Sequence, residues 1–180
     1  LSNKVWHSPT IRAELAKLAQ NAELNSEVLV RAVKTRWNTV THVLERAKEM
    51  RAVLTEVCDM AQFNKGANRK KGAGLHLRRF ILDDLEWDIL DQLLRLLSPF
   101  LYATTRMSKN TRALVHEVIP NMDVLTAHLD DFDSDITLHP SVRAAAQRGR
   151  IILNKYYSRT DESIVYRIAM RKSAIMRPFQ

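Results

Sequence analysis

The chain has 180 residues, 46% of them hydrophobic, which is enough for one domain with a buried core. Its net charge of +8 favours an anionic partner, nucleic acid first and an anionic membrane surface second, over a basic protein that binds no polyanion. One cysteine excludes an internal disulfide and a cysteine-rich zinc site, and no apolar run approaches the roughly 20 residues that span a bilayer.

The N-terminal part predicts a helix followed by a strand. Ser8 and Pro9 are typical of an N-cap and a first helical position, and apolar residues recur at helical spacing over residues 11–22. We expect this helix to end at Asn25. The Val-rich residues 28–33 are the one good strand candidate.

A long helix is predicted next, followed by a basic loop. Asn38 or Thr39 is the expected cap, and an apolar stripe runs to about residue 61. Cys58 lies within this stripe, so we interpret it as a small buried hydrophobe rather than a nucleophile. The helical pattern then stops, and residues 63–82 predict a basic loop.

The second half of the chain predicts further helices. Asp83 and Glu86 have the spacing of a capping box, and the helix after them is apolar on two faces, with a kink or break expected at Pro99. Another helix bends at Pro120, an acidic loop spans residues 130–138, and later helices start at Pro140 and at a cap, Asp161. About six helices and one strand define a mainly α fold.

Known catalytic and metal-binding patterns are missing from the sequence. The six histidines are scattered, and the acidic segment lacks the glycine and glutamate that a calcium-binding EF-hand loop requires. P-loop, dinucleotide-binding and serine-hydrolase motifs do not occur. We therefore predict neither a catalytic residue nor a metal site.

The basic loop is a candidate DNA-binding segment. Its cations would neutralise phosphates and give salt-sensitive affinity without sequence preference, while its glycines would let it follow a nucleic-acid backbone. A loop that is merely solvated is an equal alternative. The basic residues are Lys65, Arg69, Lys70, Lys71, Arg78 and Arg79.

Arg36 and Trp37 form a second candidate, at the start of the long helix. They could contact nucleic acid by charge and by stacking on a base. On physical grounds alone a structural role is favoured, in which Trp37 packs against the helix start and Arg36 pairs with a carboxylate.

Ordered sequence blocks resemble the hAT family of DNA transposases, of the fungal and plant type. Single blocks are weak, but their order along nearly the whole chain is fairly specific. The blocks are Thr35-Arg36-Trp37-Asn38, Leu44-Glu45-Arg46, Leu85-Glu86-Trp87, Leu93 to Phe100, Ala103-Thr104-Thr105, Val118 to Asp123, Leu153 to Tyr157 and Tyr166 to Met170.

The resemblance implies an RNase H-like catalytic core interrupted by a helical insertion domain. Residues 1–37 would be the last helix and strand of the first core segment, and residues 38–180 a bundle-like insertion domain. In the family, the tryptophan matched by Trp37 lies near the cleaved DNA end and is linked to the hairpin formed there.

The resemblance also implies that this chain does not cut DNA alone. The family's two Asp and one Glu, which hold a divalent metal such as Mg²⁺, match no residue here, and the BED-type zinc-finger module and the dimerisation region lie elsewhere. We expect a fragment of a transposase, located inside the cell in the nucleus, that binds DNA but no membrane or cofactor of its own; self-association would use regions not present here. The alternative is a helical protein-interaction module, for which Leu93 and Leu97 should be exposed.

Overall fold

The computed structural model describes residues 1–31, 33, 37–64, 76–108 and 114–176. Within these residues the chain is mainly helical, as predicted. The helices are α1 (Ser2–Trp6), α2 (Pro9–Asn21), α3 (Asn38–Glu49), α4 (Arg51–Asp59), α5 (Asp84–Met107), α6 (Val118–Ser134), α7 (Pro140–Asp161) and α8 (Ile164–Met176). Short 3-10 turns cover Ala61–Phe63, Leu77–Phe80 and Val115–Glu117.

The chain divides into two compact units, Leu1–Leu94 and Arg95–Gln180, with the boundary inside α5. The first unit has one main apolar core, to which α1, α2 and α4 all contribute. Its buried residues are Val5, Ile11, Leu15, Ala19, Leu29, Met50, Val53, Leu54, Val57, Cys58, Phe63 and Leu77. Residues on both sides of position 37 therefore share a core. The family boundary between residues 37 and 38 stays a prediction, since a division by packing does not test it.

The predicted strand at residues 28–33 is wrong for the part of it that the structure describes, which is extended or irregular chain. Its carbonyls are bound by side chains instead of by a neighbouring strand. Ser2 Oγ donates to Val30 O at 2.7 Å, Trp6 Nε1 to the Leu29 carbonyl at 3.2 Å, and Arg46 Nη1 to the Val28 carbonyl at 2.7 Å. A Val-rich segment forms a strand only where another strand completes its backbone hydrogen bonds.

Helix α2 starts as predicted and ends earlier than predicted. The Ser8 hydroxyl accepts a hydrogen bond from the Ile11 amide, and Pro9 is the first helical residue. The helix ends at Asn21 because Glu23 has a left-handed φ of 53°, which lets the Leu24 amide donate to the Ala19 carbonyl at 3.0 Å. This is a Schellman-type end without the usual glycine.

The predicted long helix is two helices. Met50 separates α3 from α4 with φ −96° and ψ 14°, and its side chain is fully buried. The sequence has no glycine or proline at this break, and the apolar stripe continues across it, so the sequence predicted one helix. Cys58 is buried in the core, as predicted, and burial raises the pKa of its thiol.

Helix α5 begins with the predicted capping box. The Asp83 amide donates to Glu86 Oε2 at 3.0 Å, and the Glu86 amide donates to Asp83 Oδ1 at 2.8 Å. Of the kink or break expected at Pro99, the break is wrong, because α5 continues through this residue as one helix, and the kink stays a prediction. Trp87, Leu90 and Leu94 bury one face of α5 in the first unit.

The second unit is built on the packing of α6 against α7. Leu125 and Leu129 of α6 and Val142 and Ala146 of α7 are buried. Pro120 lies in the first turn of α6, where an amide has no helical partner, so the helix accommodates it there.

The acidic loop predicted from residue 130 is helical as far as Ser134, which corrects the sequence interpretation. Carboxylates at a helix C-terminus are electrostatically unfavourable. Cations from elsewhere in the second unit compensate here. Arg150 forms an ion pair with Asp130, and Arg143 Nε donates to the Asp133 carbonyl at 2.9 Å.

Helix α7 starts at Pro140, as predicted, with the His139 ring accepting a hydrogen bond from the Ser141 amide at 3.3 Å. The prediction that Asp161 caps the last helix is wrong, because α7 itself runs through this residue. Across the described ranges, no helix is both long enough and apolar enough to cross a membrane.

Candidate nucleic-acid interface

Trp37 occupies the N-cap position of α3, with φ −56° and ψ −34°. The residue is 43% exposed and is a member neither of the main apolar core of the first unit nor of the cluster around Trp87. An aromatic ring with this exposure is open to stacking by an external group. The packing role favoured on physical grounds predicted a more buried side chain.

The first turn of α3 is tied to the preceding connector by Thr39. Its hydroxyl accepts a hydrogen bond from the Val33 amide at 2.9 Å and donates to the Val33 carbonyl at 3.3 Å. Neither Asn38 nor Thr39 caps the helix as predicted, since both lie inside it and no side chain forms a cap hydrogen bond. Thr39 instead joins Val33 to the first turn of α3.

Two polar atoms lie buried in the first turns of α3 without a hydrogen-bond partner among the described residues. They are the side-chain oxygen of Asn38 and the hydroxyl of Thr41, whose residue is fully buried. The first turn of α3 also carries no acidic residue. An incoming phosphate near Trp37 would therefore meet amide donors and no carboxylate in that turn.

Most of the basic candidates lie outside the described residues. These are Arg36 and the loop cations Lys65, Arg69, Lys70 and Lys71. Their role in DNA binding remains a prediction.

The two described cations of the basic loop lie in the 3-10 turn Leu77–Phe80. Arg78 Nε donates to Asp59 Oδ1 at 2.8 Å, and the Arg78 amide donates to Asn64 Oδ1 at 2.9 Å. Arg78 thus ties the 3-10 turn to the end of α4, and Asp59 compensates its charge. The Arg79 guanidinium lies 4.8 Å from the centre of the Phe80 ring. No described hydrogen bond or ion pair joins either arginine to Trp37.

Sequence reasoning missed a basic strip on the outer face of α7. Arg148 and Lys155 are exposed, and neither has a carboxylate partner among the described residues. The sequence could have indicated this strip. Arg148 and Lys155 are seven residues apart, which places both on one side of a helix, and that side is opposite to the buried Val142 and Ala146. These cations are free to attract an anionic partner.

Neither a metal site nor the exposed leucines of the interaction-module alternative are found among the described residues. Within the described ranges, no group of three or more His, Cys, Asp or Glu side chains is placed to hold a metal. Leu93 and Leu97, whose exposure the interaction-module alternative required, are partly buried.

Comparison with known proteins finds a distant relative of this helical, basic chain. The chain is similar to human "Zinc finger BED domain-containing protein 4", with 26% identity over 130 residues. The match covers 72% of this chain and only 10% of that relative's length. No family model matches the chain, and no solved structure matches it. The similarity agrees with the predicted BED-type relationship.

Proposed function

We propose that the chain is the DNA-binding and structural part of a hAT-like transposase domain. The observation that carries the proposal is the half-exposed Trp37 at the start of α3, within the Thr35 to Asn38 block that resembles the family. The distant similarity to a zinc-finger BED protein and the net charge of +8 support it.

In this proposal Trp37 stacks on a nucleobase at a DNA end or hairpin, and Arg36 with the basic loop neutralises phosphates. The open ring of Trp37 and the acid-free first turn of α3 fit that role. Residues 1–37 would belong to the edge of an RNase H-like core, and the protein would act in the nucleus.

The proposed role is binding without cutting. The family's metal-binding Asp, Asp and Glu match no residue of this chain, so its function is to hold DNA rather than to hydrolyse it. Strand cleavage by the purified chain with Mg²⁺, abolished by EDTA, would contradict this part of the proposal.

The test is binding of fluorescein-labelled duplex and hairpin DNA, measured by anisotropy at low salt. We expect Trp37→Ala to weaken hairpin binding by about 5- to 100-fold, the range for loss of one stacked base, and duplex binding much less. The matched control is Trp6→Ala, because Trp6 is similarly exposed but lies outside the resembling block. Equal losses for both variants, with both folded by circular dichroism, would refute a special role for Trp37.

A further inference from the structure

An open groove separates the first turn of α6 from α8, both in the second unit. Its volume is about 480 Å³. Its lining combines four apolar residues with two arginines: Ile119, Ile164, Arg167, Ile168, Met170 and Arg171. This groove belongs to the second unit and Trp37 to the first, and the proposed DNA-binding role does not use it.

No described residue covers the apolar part of this groove. Ile164 is 62% exposed and Ile168 is 47% exposed, one helical turn apart on α8. A single exposed isoleucine is ordinary on a protein surface. Two in one row, facing Ile119 across the same groove, form an apolar strip of the kind that marks an interaction site.

The charged part of the groove runs parallel to this strip. Arg167 and Arg171 are also one turn apart, and each follows an isoleucine by three residues. Both are exposed, and neither has a carboxylate partner among the described residues. A row of apolar side chains therefore lies beside a row of uncompensated positive charge.

We propose that this groove docks an amphipathic α-helix of a partner protein that carries acidic residues beside its apolar ridge. A helix presents its own side chains in rows with the same one-turn repeat, so its leucines would cover Ile164 and Ile168 while its carboxylates pair with Arg167 and Arg171. Charge complementarity defines the acidic character of the partner.

Two other occupants fit less well. A second copy in a symmetric contact would place Arg167 and Arg171 against the same arginines, which repel. DNA would satisfy the arginines, but phosphates and sugars would leave the isoleucines without apolar cover.

The probe is a capped peptide of about 18 residues, long enough to form a helix when docked. In this glutamate peptide, leucines recur on one helix face and glutamates flank them. A second peptide, the lysine peptide, has lysine at every glutamate position. A third peptide has the composition of the glutamate peptide in scrambled order. Binding of the labelled peptides to the full chain is measured by anisotropy. The glutamate peptide should bind saturably, and the other two should bind at least about ten-fold more weakly.

Charge reversal tests the orientation of the contact. Arg167→Glu with Arg171→Glu should lower the affinity for the glutamate peptide by at least about ten-fold and raise the affinity for the lysine peptide. Lys4→Glu with Lys17→Glu changes the net charge equally, at exposed positions of α1 and α2 in the first unit, and should leave both affinities within about two-fold. Equal effects of the two double variants would overturn the proposal, since they would show only attraction to net charge.

A test variant and a matched control variant probe the apolar row of Ile164 and Ile168. Ile168→Glu should abolish binding of the glutamate peptide, whereas Ile136→Glu, at a residue 83% exposed outside the groove, should not. Circular dichroism checks that each variant folds.

Three further results would overturn the proposal. One is no saturable binding of the glutamate peptide up to about 1 mM. Another is a dimer by sedimentation that Ile168→Glu dissociates and the peptide does not compete with. The third is loss of binding to a duplex DNA in the Arg167 and Arg171 variant while peptide binding is unchanged.

Discussion

Arg46 of α3 donates a hydrogen bond to the main-chain carbonyl of Val28 at 2.7 Å, across eighteen residues of chain. The same guanidinium pairs with Glu49 at 3.1 Å. Arg46 thus holds the connector before Trp37 against α3. The Thr39 contacts to Val33 form a second tie between this stretch and α3, the helix that follows the candidate DNA-contacting tryptophan.

Loss of the Arg46 contact should therefore destabilise the first unit. We expect Arg46→Met to lower the free energy of unfolding by about 1–2 kcal/mol, since it leaves a carbonyl without its charged donor. Urea titration followed by tryptophan fluorescence reports on this unit, because Trp6, Trp37 and Trp87 all lie in it. Lys48→Met, which removes only an exposed pair with Asp91, is the control and should change stability by less than about 0.5 kcal/mol.

The buried hydroxyl of Thr41 should cost stability. Thr41→Val keeps the shape and removes the unpartnered hydroxyl, so we expect a gain of about 1 kcal/mol in the free energy of unfolding. Thr39→Val in the same helix turn should lose about 1 kcal/mol, because that hydroxyl bonds to Val33. A change of the same sign for both variants, measured by urea titration, would contradict the assignment.

Gly149 in the middle of α7 should accept a side chain. An added Cβ would meet Leu129 Cδ2 at 3.4 Å, an ordinary contact, so helix propensity decides the outcome. We expect Gly149→Ala to stabilise by about 0.5–1 kcal/mol and exposed Ala144→Gly to destabilise by a similar amount. Thermal unfolding by circular dichroism measures both, and a lower midpoint for Gly149→Ala would show that α7 packs more tightly against Leu129.

Asp135 should make stability depend on pH in acid. The Thr137 hydroxyl and amide donate to Asp135 Oδ1 at 2.6 and 2.9 Å and lower the pKa of that carboxyl. A lowered folded-state pKa means that the contribution is present above the unfolded value of about 4 and is lost as pH falls through the lower, folded value. Asp135→Asn should flatten this part of a pH–stability curve, and adding Thr137→Val should change it little further. A steep acid loss that survives in Asp135→Asn would contradict this origin.

Local signals predicted the fold where a cap or proline decides the structure. Ser8 with Pro9, the pair Asp83 and Glu86, and Pro140 each marked a helix start, because capping chemistry is contained within four residues. The strand at residues 28–33 failed because its carbonyls are bound by side chains distant in sequence.

The candidate site was only partly predictable. Trp37 stood out in the sequence, but its exposure depends on the tertiary packing around the start of α3, which no local sequence pattern encodes. The break at Met50 and the ion pair of Arg78 with Asp59 likewise depend on tertiary packing. The exposure of Ile164 and Ile168 on α8 could not be predicted either, because the spacing of apolar residues does not say what covers a helix face.

The most direct test of the DNA-binding account is the salt dependence of duplex binding by the wild-type chain and by a variant with Lys65, Arg69, Lys70 and Lys71 changed to glutamine. The account predicts tight binding at low salt, and a slope of log affinity against log salt that is smaller by about 3–4 in the variant, or about 0.9 per lost phosphate contact. No binding by the wild-type chain at low salt, or equal slopes for the two proteins, would contradict it.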